Sequence, residues 1–139
     1  MKRTFLSFGC YFFLVSILQA QTLLIPTGSQ WKYFDQGNHN EPMWRFPSFN
    51  DASWSTANAE LGYGDGDEAT VVSFGGNANN KHITTYFRKS FNLSQATILE
   101  GRVKVDDGVV VYLNGTEVYR NNLPAQVTHN TLALNAANE

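Results

Sequence analysis

Val109-Val110-Val111-Tyr112-Leu113-Asn114-Gly115-Thr116-Glu117-Val118-Tyr119-Arg120 is the stretch that decides the fold class. Two runs rich in β-branched and aromatic residues flank an Asn-Gly dipeptide. That dipeptide supplies the two positive-φ residues of a type I′ turn, whose twist matches the strands it joins. Residues 109–113 and 116–120 are therefore expected to form a hairpin. Outward from it, further strands are expected at residues 23–25, 30–34, 61–63, 70–74, 84–93 and 98–105, with a weaker one near 127–134. Residues 37–40, 64–67 and 75–80 are rich in Gly, Asn and Asp and read as loops. From Tyr86 to Leu93 polar and apolar residues alternate imperfectly, which suits a strand with one face on a core. No stretch keeps an apolar face at i, i+3 and i+4, so helices are not expected. Many short strands at regular spacing imply a β-sandwich.

The N-terminus carries a different signal. Lys2 and Arg3 precede an apolar run from Tyr11 to Leu18, and small Ala20 follows. This is the three-part pattern of a secretory signal peptide over residues 1–20, cut before Gln21. The run is shorter than the ~20 residues a membrane span needs. A lipid anchor on Cys10 would place the cysteine after the apolar core, whereas here it stands before it. The remaining residues 21–139 are expected to form one domain in a secreted setting, with no membrane span. Removing 1–20 from the 139 residues leaves 119, enough for one core and too few for two. With Lys2 and Arg3 gone, 8 of the 10 basic residues remain against 12 acidic ones, a net charge of −4. No basic stripe is present, which argues against nucleic acid as a partner. Cys10 is the sole cysteine and leaves with the leader, so packing rather than disulfides must stabilise the domain.

Four motifs occur in order: Phe49-Asn50-Asp51-Ala52-Ser53-Trp54, Leu61-Gly62-Tyr63-Gly64-Asp65-Gly66-Asp67-Glu68, Thr85-Tyr86-Phe87-Arg88-Lys89-Ser90-Phe91, and Asp106-Asp107-Gly108 leading into Val109–Leu113 and Asn114-Gly115. Together they resemble galactose-binding-like jelly-roll domains. The first, third and fourth are also similar to the sugar-binding N-terminal domain of family 2 glycoside hydrolases. The second is closer to secreted bacterial modules found beside metallophosphoesterase, spore-coat-H-like or lamin-tail-like domains. The resemblance implies a galactose-binding-like jelly-roll β-sandwich. Relative to that family the closing strands are missing after Glu139, so the chain is expected to be a fragment lacking its final strands.

No H-E-x-x-H, G-x-S-x-G or Walker loop is present, so no catalytic residue is assigned. His39, His82 and His129 lack metal-ligand spacing and read as solvent or loop histidines. The best metal candidates are Asp65, Asp67 and Glu68, whose oxygens on a Gly-rich loop suit calcium, although the spacing is not that of an EF-hand. The bland alternative is a turn in which aspartates bond their own backbone. Asp106 and Asp107 are similar to the paired aspartates of PA14-type sugar-binding domains, where the pair holds calcium beside the sugar. Their alternative is a tight turn with a capping aspartate. Trp44 and Tyr63, near loops, are candidates to stack on a sugar ring, and Arg45 to hydrogen-bond it. Trp54 is expected to pack in the core beside Phe49.

The leading expectation is a noncatalytic module of a secreted bacterial protein that binds carbohydrate or contacts a downstream domain of the same protein. Such a module would raise the effective concentration of an attached enzyme near a glycan. The alternatives are an accessory fragment of a secreted hydrolase (a metallophosphoesterase or glycoside hydrolase) whose active site lies beyond residue 139, and a spacer without a ligand.

Overall fold

The structure, a computed structural model, describes residues 22–39, 41–95 and 98–135. The leader expected over residues 1–20 lies outside them. Among the described residues no helix is long and apolar enough to cross a membrane.

The described chain is all-β apart from one 3-10 turn. Its strands are β1 (Gln30–Phe34), β2 (Ser55–Asn58), β3 (Leu61–Gly62), β4 (Thr70–Val71), β5 (Tyr86–Arg88), β6 (Val109–Leu113) and β7 (Thr116–Asn121); the 3-10 turn spans Pro42–Arg45. β1 is central in an antiparallel sheet of order β2-β1-β5, with Trp31 opposite Ala57 and Tyr33 opposite Phe87. Its Trp, Tyr and Phe are strong strand formers, which suits a strand paired on both edges. β3 and β4 pair in parallel, and Val72 N–H extends that pairing to the Gly62 carbonyl at 2.9 Å.

β6 and β7 form the expected hairpin, with Asn114 at φ 52° and Gly115 at φ 88° in the turn. A bulge interrupts the register: Val111 faces Tyr119 and Tyr112 faces Glu117, which leaves Val118 as the extra residue. The extra residue shifts the alternation by one. Glu117 and Arg120 therefore meet, with Arg120 Nη2 2.7 Å from Glu117 Oε2.

The core is aromatic. Trp54 is 5% exposed and Tyr86 8% exposed. Around them sit Phe34, Phe49 and Trp44, with ring centroids 5.8, 5.7 and 6.5 Å from Trp54. Trp54 packs beside Phe49 as the F-x-D-x-S-W motif implies. Among the described residues, Val72 is the buried aliphatic side chain.

Three expected strands are corrected. Residues 23–25, 98–105 and 127–134 form no strand. They carry β-prone residues but build no ladder with a neighbour, the bond from Leu134 N–H to Asn122 O standing isolated, and a strand exists only through its pairing. In the reverse sense, β2 forms from Ser-Thr-Ala-Asn, which has no apolar alternation, because β1 offers its free edge.

Candidate functional site

Trp44 and Arg45 lie in the 3-10 turn that Pro42 opens. Its hydrogen bonds are Trp44 N–H to Glu41 O at 3.2 Å and Phe46 N–H to Met43 O at 2.9 Å. Arg88, on β5, holds this turn against the sheet. Its Nη1 donates to the carbonyls of Trp44 and Phe46, and its Nε lies 2.9 Å from Asp51 Oδ2. The Trp44 ring stacks on Trp54 and meets Tyr86 and Tyr112 edge-on at 5.0 and 5.7 Å. The Arg45 guanidinium lies 5.3 Å from the Tyr112 ring centre and 5.6 Å from that of Phe46. Trp44 is thus half-buried in the aromatic cluster, with Arg45 exposed at its rim.

Tyr63 belongs to a different place. Its ring pairs with Phe74 at 5.4 Å, and Lys81 Nζ lies 5.0 Å above Tyr63 and 5.7 Å above Phe74. Lys81 also lines a cleft, so Tyr63 adjoins that cleft and Trp44 does not.

Two of the candidate metal ligands, Glu68 and Asp67, hold other partners. The Glu68 carboxylate accepts the amides of Asp65 at 3.1 Å and Gly66 at 3.0 Å, closing the loop on itself. Asp67 Oδ2 lies 3.2 Å from Lys104 Nζ, which also meets Glu60 at 2.7 Å. Hydrogen bonds that it donates to Glu60 and then Asp67 hold the Lys104 ammonium above the ordinary lysine value. Asp106 and Asp107 form an exposed turn before β6, with Asp107 at φ 56° and its carbonyl accepting from Asn122 Nδ2. Among the described residues no group of three or more His, Asp or Glu side chains is placed to hold a metal ion. As arranged, Asp65, Asp67, Glu68, Asp106 and Asp107 make no oxygen cage of the six to eight ligands calcium takes.

The cleft itself has a volume of ≈ 340 Å³ and lies between the loops at 36–38, 80–83 and 129–130. Gln36, Asn38, Asn80 and Asn130 line it together with Lys81, His82 and His129; Gly37 and Ile83 complete the wall. His82 is the post around which it is built. Its Nδ1 lies 2.8 Å from the Asp35 carbonyl, and its own N–H donates to Phe74 O at 2.9 Å. A carbonyl only accepts, so Nδ1 carries the proton. Gly75, at φ 92°, lets the backbone close on the ring, since a β-carbon there would stand 2.6 Å from His82 Nε2. Thr84 Oγ1 donates to the His129 carbonyl at 2.8 Å and brings in the third loop.

Sequence reading missed this cleft, because its residues come from three distant segments and carry no motif. It also placed His39 in a loop without seeing its packing. The His39 ring lies 4.8–5.6 Å from Phe34, Phe49, Trp54 and Tyr86, and its buried Nδ1 has no hydrogen-bond partner. Against known protein families, curated proteins and solved structures, the chain has no match.

Proposed function

We propose that the chain is a noncatalytic carbohydrate-binding module of an exported protein, built as a galactose-binding-like jelly-roll sandwich, with the cleft at 36–38, 80–83 and 129–130 as its sugar site. The observation that carries this reading is the lining. Side-chain amides both donate and accept, which is what a ring of sugar hydroxyls requires. Four residues that carry such amides line the cleft. The Tyr63–Phe74 pair, with Lys81 over its rings, adds apolar surface at its edge. Trp44, stacked in the core cluster, contributes to packing in this reading.

The test is a set of oligosaccharides titrated into isotopically labelled protein. Binding should shift the amides of the three loops and leave those of the β6–β7 hairpin in place. Asn80→Ala combined with Asn130→Ala should weaken binding at least about tenfold, since each lost hydrogen bond removes part of the affinity. Shifts confined to the Trp44–Arg45 turn would move the site there, and no shifts with any glycan would remove the carbohydrate reading.

A second reading, contact with another domain, is favoured by apolar side chains at the surface, Ile98 and Leu132 among them.

A further inference from the structure

We propose that the cleft takes a glycan bearing an anionic group, a carboxylate or a sulfate, with Lys81 meeting the charge. This rests on the carbohydrate reading of the same cleft. The chain as a whole is acidic, with a formal net charge of −2, so any attraction for an anion must be local. The cleft supplies it: its lining contains one ammonium, two imidazoles and four amides, and no carboxylate.

Lys81 is the deciding group. Among the described residues, ion pairs engage Lys32, Arg88, Arg102, Lys104 and Arg120, but not Lys81. Its Nζ instead rests above the rings of Tyr63 and Phe74. A ring face attracts a cation without neutralising it, so the charge stays available to a third partner. The Asp35 carboxylate, next to Gln36 in the chain, accepts from the Ser73 amide at 2.7 Å. A sugar seated in the cleft would present its carboxylate or sulfate to Lys81 and its hydroxyls to Asn38, Asn80 and Asn130.

The experiment uses the full chain and three probes of matched length: a galacturonate trimer, a sulfated galactose trimer and a neutral galactose trimer, followed by calorimetry. At least one acidic trimer should bind about tenfold tighter than the neutral one, the worth of a hydrogen bond between charged partners. Lys81→Gln should erase that preference, whereas Arg102→Gln, at an exposed arginine paired with Glu100, should keep it. Which acidic trimer binds identifies the anion. Equal binding of acidic and neutral trimers, or a preference that survives Lys81→Gln, overturns the inference and leaves the carbohydrate reading standing. Binding of none of the three overturns both. If Lys81→Gln fails to fold, the wild-type chain decides: amide shifts at 80–83 larger with the acidic than with the neutral trimer support the proposal, and equal shifts overturn it.

Discussion

Arg88 joins segments that are far apart in the chain. From β5 it reaches the carbonyls of Trp44 and Phe46, the carboxylate of Asp51 and the ring of Phe49, whose centre lies 5.2 Å from its guanidinium. Its side chain is largely buried, so removing it strands polar groups as well as an ion. Arg88→Met should therefore cost roughly 2–4 kcal/mol, below the fully buried limit because Asp51 keeps partial contact with water and with Lys32. The partner's titration gives a second readout. Burial alone would raise the Asp51 carboxyl, but hydrogen bonds from Arg88 and Lys32 outweigh it and hold the group below its ordinary 3.8. A carboxyl depressed in the folded chain lends its full stability above the unfolded value and loses it as pH falls through the folded one. Urea midpoints measured from about pH 6 to about pH 3 should fall more steeply for wild type than for Asp51→Asn. Parallel curves would show that this pairing does not contribute. At this scale the sequence was legible where a motif has one bulky apolar member: Trp54 was expected in the core. Arg88 stood in view within Tyr-Phe-Arg-Lys, but its role depends on carbonyls some forty residues away, and no local pattern encodes that.

The β6–β7 hairpin shows what an element can announce about itself. Its bounds were readable because turn chemistry is local: Asn114 and Gly115 carry the positive φ that the turn demands. Its tertiary role was not readable. A β-carbon on Gly115 would collide with the ring of Phe46, so the turn is pressed onto the residue that follows the Pro42–Arg45 turn. Gly115→Ala should thus suffer twice, from backbone strain at φ 88° and from displacement of Phe46. A loss of roughly 2–3 kcal/mol in chemical unfolding is expected. A variant within about 0.5 kcal/mol of wild type would mean that the turn and Phe46 do not press on each other. The strands that were misjudged fail for one reason. Residues 98–105 have strand composition and β2 does not, yet only β2 lies beside a neighbour. Composition reports a preference, whereas the hydrogen bonds of a strand belong to two segments at once.

For the molecule as a whole, the core is small and the apolar surface is not. Trp54, Val72 and Tyr86 are the buried apolar residues described, while Ile98 is 86% exposed, Leu132 68% and Val118 57%. Val118 is the residue left over at the β7 bulge. Leu134 is tied next to the end of β7 through its N–H to Asn122 O at 2.9 Å, which places an exposed leucine beside that strand. Each such side chain left in water forgoes about 1.5–3 kcal/mol that burial would contribute, so a surface carrying several of them gains from being covered. The chain by itself should therefore enhance the fluorescence of an apolar dye and elute earlier from a sizing column as its concentration rises. Val118→Lys with Leu132→Glu should suppress both effects. The melting temperature should move little, because neither residue lies in the core and surface changes of this kind alter stability by about 0.5 kcal/mol or less. A chain that stays monomeric across that concentration range, with no dye response, would remove the case for a covered face and with it the domain-contact reading. Glycan binding at the cleft should be unchanged in the double variant, since neither position lines it. The two measurements thus separate the proposed domain contact from the proposed sugar cleft.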